Sequence, residues 1–173
     1  MNKVLIVFYS YSGTCRRVSS MLSASYGWPT TEIIDVQPHR SVWRCMVDSL
    51  LRRRPEIRCT GPSPDEFEAV VLVTPVWAYR LAGPIRSFVA QHGSQLPAAA
   101  VVSAMASNGA FNAEAEVATL TGQQPFMTLP ILARHVEDGT CAEQLQAFAD
   151  AIQAIDVPGM SQTRSGFEPR AAA

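Results

Sequence analysis

The chain has 173 residues, of which 47% are hydrophobic and 17% charged, and its formal net charge is −1. This length suits one domain with a substantial core, and the chain shows neither a signal-peptide pattern nor an apolar run long enough to span a membrane. The four cysteines and three histidines have no zinc-binding or disulfide spacing. We therefore expect a cytoplasmic protein with reduced thiols, no metal site and no nucleic-acid partner.

Charge is distributed unevenly along the chain. Residues 1–60 contain nine Lys and Arg against four Asp and Glu, whereas residues 61–173 contain five against eleven. Such an asymmetry can steer an anionic partner to one side of a protein.

The first predicted strand leads into a turn suited to an anion. Residues 4–9 form an unbroken apolar run, which predicts a strand buried on both faces. A hydroxyl-rich turn with one glycine, Gly13, follows, and apolar residues then recur at helical spacing. Strand, short turn and helix start together can bind phosphate, because free N–H groups and the positive end of the helix dipole face one anion. Ser10, Ser12 and Thr14 add hydroxyl groups to this turn.

The pattern Ser10-x-Ser12-Gly13-x-Cys15 after an N-terminal strand resembles the phosphate loop of the flavodoxin family, (S/T)-x-(S/T)-G-x-T. The departure is Cys15, a weak thiol donor where the family has threonine. The resemblance implies that FMN binds through its phosphate, and the alternative is a strand, turn and helix without a ligand. The residues implied at the phosphate are Ser10, Tyr11, Ser12, Gly13, Thr14 and Cys15.

A second phosphate loop can be excluded. The pattern Ser10-x5-Arg16 aligns with the C-x5-R loop of low-molecular-weight tyrosine phosphatases. That chemistry needs a thiolate nucleophile, and here Ser10 occupies the nucleophile's position while Cys15 lies next to the arginine. We reject phosphatase activity.

Residues 30–36 predict a second strand, and the segment after it predicts an amphipathic helix. Polar residues recur every four positions from Arg40 to Arg52, so we expect the apolar side of the helix to pack on the sheet. That apolar side consists of Val42, Trp43, Met46, Val47, Leu50 and Leu51. The run 52–54, three arginines, is interpreted as a docking patch for a pyridine-nucleotide phosphate or a redox partner, or as a solvated helix end. Residues 55–67, with three prolines, predict a surface connection.

Residues 68–75 predict another buried strand, which is followed by an aromatic loop and a helix beginning near Gly83 and Pro84. Open α/β sheets bind ligands at this end of a strand. The run resembles TPVWxxxxxxPxRxF in flavodoxin-family oxidoreductases, where the loop meets the isoalloxazine ring. Trp77 taken alone is equally typical of a core or rim aromatic. The residues implied at the ring are Pro75, Val76, Trp77, Ala78 and Tyr79.

Residues 98–105 predict a central strand of small residues. Its exit corresponds to the other flavin-edge loop of the family, which implies that Ser107, Asn108 and Gly109 meet the pyrimidine end of the flavin; the alternative is a plain turn. Residues 126–132 predict a fifth strand at an edge, because Pro130 cannot donate to a ladder. Helices are predicted after both strands.

Five strands alternating with helices predict an α/β fold, a doubly wound parallel sheet with helices on both faces. The resemblance implies the flavodoxin-like strand order 2-1-3-4-5, which brings the three loops together. We expect one domain over residues 1–156 and a polar tail over residues 157–173. The tail could dock on a neighbour, which leaves a homodimer open.

Bound FMN admits two functions. An oxidoreductase passes electrons from NAD(P)H through FMN to a quinone-like or other small acceptor, whereas a carrier shuttles electrons between partner proteins. Carrier flavodoxins are usually strongly acidic, so a net charge of −1 with arginines on one element favours the oxidoreductase. A third hypothesis is a binding module without flavin. No residue is identified as a convincing catalytic nucleophile or proton donor. By position alone, Tyr79 could donate a proton or cover the ring, and Arg80 could stabilise the charge of a reduced flavin or an acceptor anion.

Overall fold

The apolar runs of the sequence form one central sheet. The computed structural model describes residues 3–37 and 41–155. Five strands are parallel and lie side by side in one layer. In spatial order they are β2 (Thr30–Asp35), β1 (Val4–Phe8), β4 (Ala69–Trp77), β6 (Ala98–Met105) and β7 (Met127–Leu132). This order is the predicted one, and β7, with its proline, lies at an edge as expected.

The sheet has two strands that the sequence analysis did not predict. Residues 55–67 are not only a connection: β3 (Ile57–Thr60) pairs antiparallel with β2 and forms the other edge of the sheet. An edge strand needs one hydrogen-bonded neighbour, and the prolines of this segment flank β3 instead of interrupting it. The short β5 (Arg80–Leu81) pairs antiparallel with the end of β4.

Six helices of the described residues cover the two faces of the sheet. They are α1 (Thr14–Tyr26), α2 (Val42–Leu50), α3 (Gly83–His92), α4 (Ala110–Thr121), α5 (Ala133–Glu137) and α6 (Ala142–Ala154). Alternate residues of β1 point to opposite faces, so Ile6 packs in the cluster of α1, α5 and α6, and Val7 in the cluster of α3 and α4. Two cores therefore enclose one sheet.

The orientation predicted for α2 is wrong. Its apolar residues Val42, Trp43 and Leu50 are exposed, and Trp43 retains 71% of its accessible surface. The buried positions are instead Cys45, Asp48 and Ser49. The helix is thus turned away from the side that its apolar pattern favours.

A buried guanidinium explains this orientation. Arg86 is only 2% exposed and forms an ion pair with Glu116 of α4. Its Nη1 also donates to the carbonyl oxygen of Arg53 at 3.0 Å, and its Nη2 donates to those of Ser49 at 3.2 Å and Leu81 at 2.8 Å. These bonds hold the C-terminal end of α2 against α3, β5 and α4, with Asp48 and Ser49 on the buried side.

Several sequence expectations concern single residues or the chain end. The four cysteines remain free thiols, and Cys59 on β3 is the exposed one. Within residues 3–37 and 41–155 no helix is long and apolar enough to cross a membrane, and no group of three potential ligands could hold a metal ion. The predicted tail, residues 157–173, lies outside the described residues.

Replacing Arg86 by methionine should destabilise the fold strongly, because it leaves the Glu116 carboxylate buried without a counter-charge. We expect a loss of about 3–5 kcal/mol in the free energy of unfolding, measured by urea denaturation. Arg58→Met on the exposed edge strand is the matched control and should change stability by less than about 0.5 kcal/mol. A loss below about 1 kcal/mol for Arg86→Met would contradict the structural role given to this residue.

Candidate functional site

Three loops meet at the carboxyl end of the sheet, where open α/β folds bind ligands. They follow β1, β4 and β6 and contain most of the residues that the sequence analysis selected; Pro75, Val76 and Trp77 are instead the last three residues of β4. The rings of Tyr9 and Tyr11 contact Trp77 edge-on, with ring centroids 6.0 Å and 5.7 Å apart, which joins the first loop to the second. Gly109 lies against Tyr79, which joins the second loop to the third.

The first loop ends in an uncapped helix. Gly13 is the N-cap of α1 in the left-handed conformation, with φ of 96°, and no side chain caps this end. The N–H of Gly13 donates to the Ser10 hydroxyl oxygen at 3.1 Å, which fixes the turn. The first helical bond runs from Arg17 to Gly13, so the N–H groups of the turn before Arg17 have no acceptor within the helix. These donors and the helix dipole favour an anion outside Gly13.

The hydroxyl groups of this loop lie at its open side. The oxygens of Ser12 and Thr14 are 3.3 Å apart, and Ser12 is exposed. Both can therefore donate to the same ligand as the N–H groups.

Cys15 contributes to this loop only through its backbone. Its side chain is 1% exposed and packs in the core with Val18 and Leu22. Burial raises the pKa of this thiol to about 12, so it stays protonated at neutral pH. The sequence analysis treated Cys15 as a weak replacement for a hydroxyl donor, but its thiol lies in the core of the fold.

The second loop is a tight hairpin, which the sequence analysis did not predict. Trp77 pairs with Arg80, and the two residues between them, Ala78 and Tyr79, have φ of 49° and 59°. A two-residue hairpin with two positive φ values usually contains Asn and Gly. Each such residue with a side chain costs about 1–2 kcal/mol, and strain of this kind is typical of functional sites. Tyr79 points to solvent with 58% of its surface exposed, and Trp77 is half-buried.

The third loop has to contain a glycine at position 109. Gly109 has φ of 116°, and a Cβ at this position would lie 2.8 Å from Cα of Tyr79 and 2.9 Å from Cγ1 of Val76. A side chain would therefore push the hairpin away. Ser107 and Asn108 are exposed beside it and can present hydroxyl and amide groups. Pro75 lies on β4 opposite Ala104 of β6, two residues before the strand ends at Trp77.

Two cavities flank the three loops. One of about 530 Å³ lies between the first loop and the end of β2, where Arg16 forms an ion pair with Glu32. The other, of about 420 Å³, lies between the hairpin and α4 and is lined by four arginines. Tyr9 and Tyr11 of the aromatic cluster line the first cavity, and Arg80 of the hairpin lines the second. The sequence analysis selected Arg80 by its position. It did not select Glu32, because Glu32 lies 16 residues from its ion-pair partner Arg16 and no local pattern connects them.

Comparison with known proteins identifies the fold. No protein-family model and no curated protein matches the chain. A flavoprotein from Lactobacillus acidophilus, solved in complex with FMN, matches over 84% of this chain and 99% of its own, at 15% identity and a TM-score of 0.67. A flavodoxin of Fusobacterium nucleatum bound to flavin mononucleotide matches over 89% and 98%, at 8% identity and 0.55. An NADPH-quinone reductase from P. pentosaceus matches over 87% and 97%, at 12% identity and 0.51.

Alanine at Gly109 should displace the hairpin, and the other end of α4 offers a matched control. Gly122 also has a positive φ, 74°, but nothing lies within 4 Å of its missing Cβ. Gly122→Ala should therefore cost about 1 kcal/mol of unfolding free energy from backbone strain alone. Gly109→Ala should cost about 1–3 kcal/mol more, because the methyl group overpacks against the hairpin. Urea denaturation measures both, and equal losses would show that the third loop does not support the hairpin.

Proposed function

From a flavodoxin-like fold with three loops in contact at its ligand-binding edge, we propose that this protein binds FMN and acts as an oxidoreductase. The observation that carries the proposal is the junction of an uncapped helix start, an aromatic cluster and a polar loop at one edge. These are the three kinds of contact that a phosphate, an isoalloxazine ring and its pyrimidine edge require.

The residues of this edge fit FMN in chemistry. The phosphate would be held by the backbone N–H groups that begin α1 and by the hydroxyls of Ser12 and Thr14. Apart from Gly13 and its two chain neighbours, no protein atom lies within 4 Å of the position of a Cβ on Gly13, so the turn leaves room for a ligand. Trp77 and Tyr79 would cover the ring, and Asn108 would reach its polar edge.

Bound FMN would supply the redox chemistry, which is hydride transfer from NAD(P)H and two-electron reduction of a quinone-like or other small acceptor. The chain binds and orients the cofactor and limits the access of water. Tyr11 and Trp77 provide a rigid aromatic wall, because each ring is held by a neighbouring ring. The strained hairpin keeps Tyr79 at the rim, where an acceptor would approach.

The charge distribution supports an enzyme that meets small anions more than a carrier that docks on basic proteins. The net charge is only −1, and a cavity lined by arginines adjoins the hairpin. The solved NADPH-quinone reductase with a similar fold is consistent with this function. We place the activity in the cytoplasm, where NAD(P)H is available. The alternative, an electron carrier, is favoured by the exposed apolar side of α2, which could contact a partner protein.

Replacing Gly13 by alanine should weaken FMN binding, whereas the same replacement at the other end of α1 should not. Gly13→Ala strains the turn and places a methyl group where the phosphate would lie, so we expect affinity to fall about tenfold or more. Gly27→Ala, at the other end of α1, imposes comparable strain, since Gly27 has φ of 68° and no atom within 4 Å of its missing Cβ. This control should keep full affinity in a fluorescence titration with FMN. Riboflavin, which has no phosphate, should bind wild type more weakly than FMN; equal affinity would contradict the phosphate site.

Trp77→Ala should weaken FMN binding by about 1–3 kcal/mol, because the ring loses a buried aromatic contact. Trp43→Ala, on the exposed side of α2, is the control and should leave affinity unchanged.

In an anaerobic experiment NADPH alone should bleach the flavin absorbance, and added quinone should restore it. A flavin that NAD(P)H reduces only in the presence of a reductase protein would identify a carrier and overturn the oxidoreductase proposal.

A further inference from the structure

A basic cavity adjoins the hairpin on the side away from the first loop. Its volume is about 420 Å³, and it lies between the segment after α2, the β5 end of the hairpin and one side of α4. Its charged lining is Arg52, Arg54, Arg80, Arg86 and Glu116. Arg80 follows directly on the hairpin tip and pairs with Trp77, so the hairpin connects this cavity with the aromatic cluster.

Three of these arginines lack a counter-charge. Arg86 and Glu116 neutralise each other at the buried wall of the cavity. In the described part of the chain Arg52, Arg54 and Arg80 form no ion pair, whereas the neighbouring Arg53 is paired with Asp48 at 3.2 Å outside the cavity. Three like charges around one space repel each other, and an anion between them would remove that cost.

The backbone of Arg52 is in a strained, left-handed conformation. Arg52 has φ of 53° at the end of α2, the position that glycine usually occupies. The N–H of Arg53 donates to the carbonyl of Asp48 at 2.8 Å and that of Arg52 to Ser49 at 3.2 Å, which is the bonding of a Schellman motif. Arg86 donates to the same two carbonyl oxygens, that of Ser49 at 3.2 Å and that of Asp48 at 3.5 Å. A strained cation fixed by a buried guanidinium is typical of a binding position.

We propose that this cavity binds the 2′-phosphate of NADPH and so selects NADPH over NADH; the inference rests on the proposed oxidoreductase function. A phosphate monoester carries nearly two negative charges at neutral pH and three acceptor oxygens, which suits a cavity lined by three arginines without a counter-charge. The hairpin would lie between the two ends of such a ligand, since Trp77 belongs to the aromatic cluster and Arg80 lines the cavity. NADH lacks the 2′-phosphate and therefore has no anionic group that would bind in this cavity.

The first test measures binding without turnover. Isothermal titration calorimetry on the FMN-loaded protein would compare 2′,5′-ADP with 5′-AMP, which lacks the 2′-phosphate. We expect wild type to prefer 2′,5′-ADP by more than about tenfold, and each of Arg52→Gln, Arg54→Gln and Arg80→Gln to weaken that ligand about tenfold. Arg58→Gln removes the same charge on the far edge strand β3 and should bind as wild type. Urea denaturation of each variant checks that the fold is retained.

The second test measures flavin reduction by stopped-flow absorbance. The three cavity variants should raise the NADPH concentration for half-maximal rate about tenfold and leave that for NADH unchanged. If 2′,5′-ADP binds no better than 5′-AMP, or folded variants bind it as wild type does, the cavity proposal is overturned even when NADPH reduces the flavin. If neither nucleotide reduces the flavin but the variants lose 2′,5′-ADP, the oxidoreductase function fails and the phosphate site stands.

Discussion

The buried ion pair of Arg86 and Glu116 is the constraint on which the ligand edge of this fold depends. A guanidinium this deep is tolerated only when its donors are satisfied, and here a carboxylate and several backbone carbonyls satisfy them. Those carbonyls belong to the end of α2 and to β5, which have no regular hydrogen bonds to each other. One side chain therefore sets the distance between two segments that border the same basic cavity.

The same constraint explains where sequence reasoning succeeded and where it failed. The five parallel strands and the turn around Gly13 follow from local patterns, because apolar runs and a glycine before a helix carry their own signal. The orientation of α2 does not, since Ser49 and Arg86 are 37 residues apart in the chain. Apolar periodicity predicts a buried side only when no stronger tertiary interaction competes with it. The hairpin at Ala78 and Tyr79 was missed for a related reason: neither residue favours the left-handed conformation that packing imposes.

The ligand edge combines rigid and strained parts. Trp77 is held edge-on between two tyrosines, and Gly109 closes against the hairpin so tightly that no side chain fits. Positions fixed in this way need no rearrangement when a planar ring arrives, which lowers the entropic cost of binding. The backbone strain of the hairpin is sustained by these contacts and by the pairing of β4 with β5.

The left-handed arginine at position 52 has a consequence for protein engineering. Glycine at such a helix end would relieve about 1 kcal/mol of strain, so a screen that rewards heat resistance alone would favour it. The selected protein would be more robust and would have lost one cation from the basic cavity. At position 52 glycine would favour thermal stability and arginine would favour ligand discrimination, so directed evolution would have to select for both properties at once.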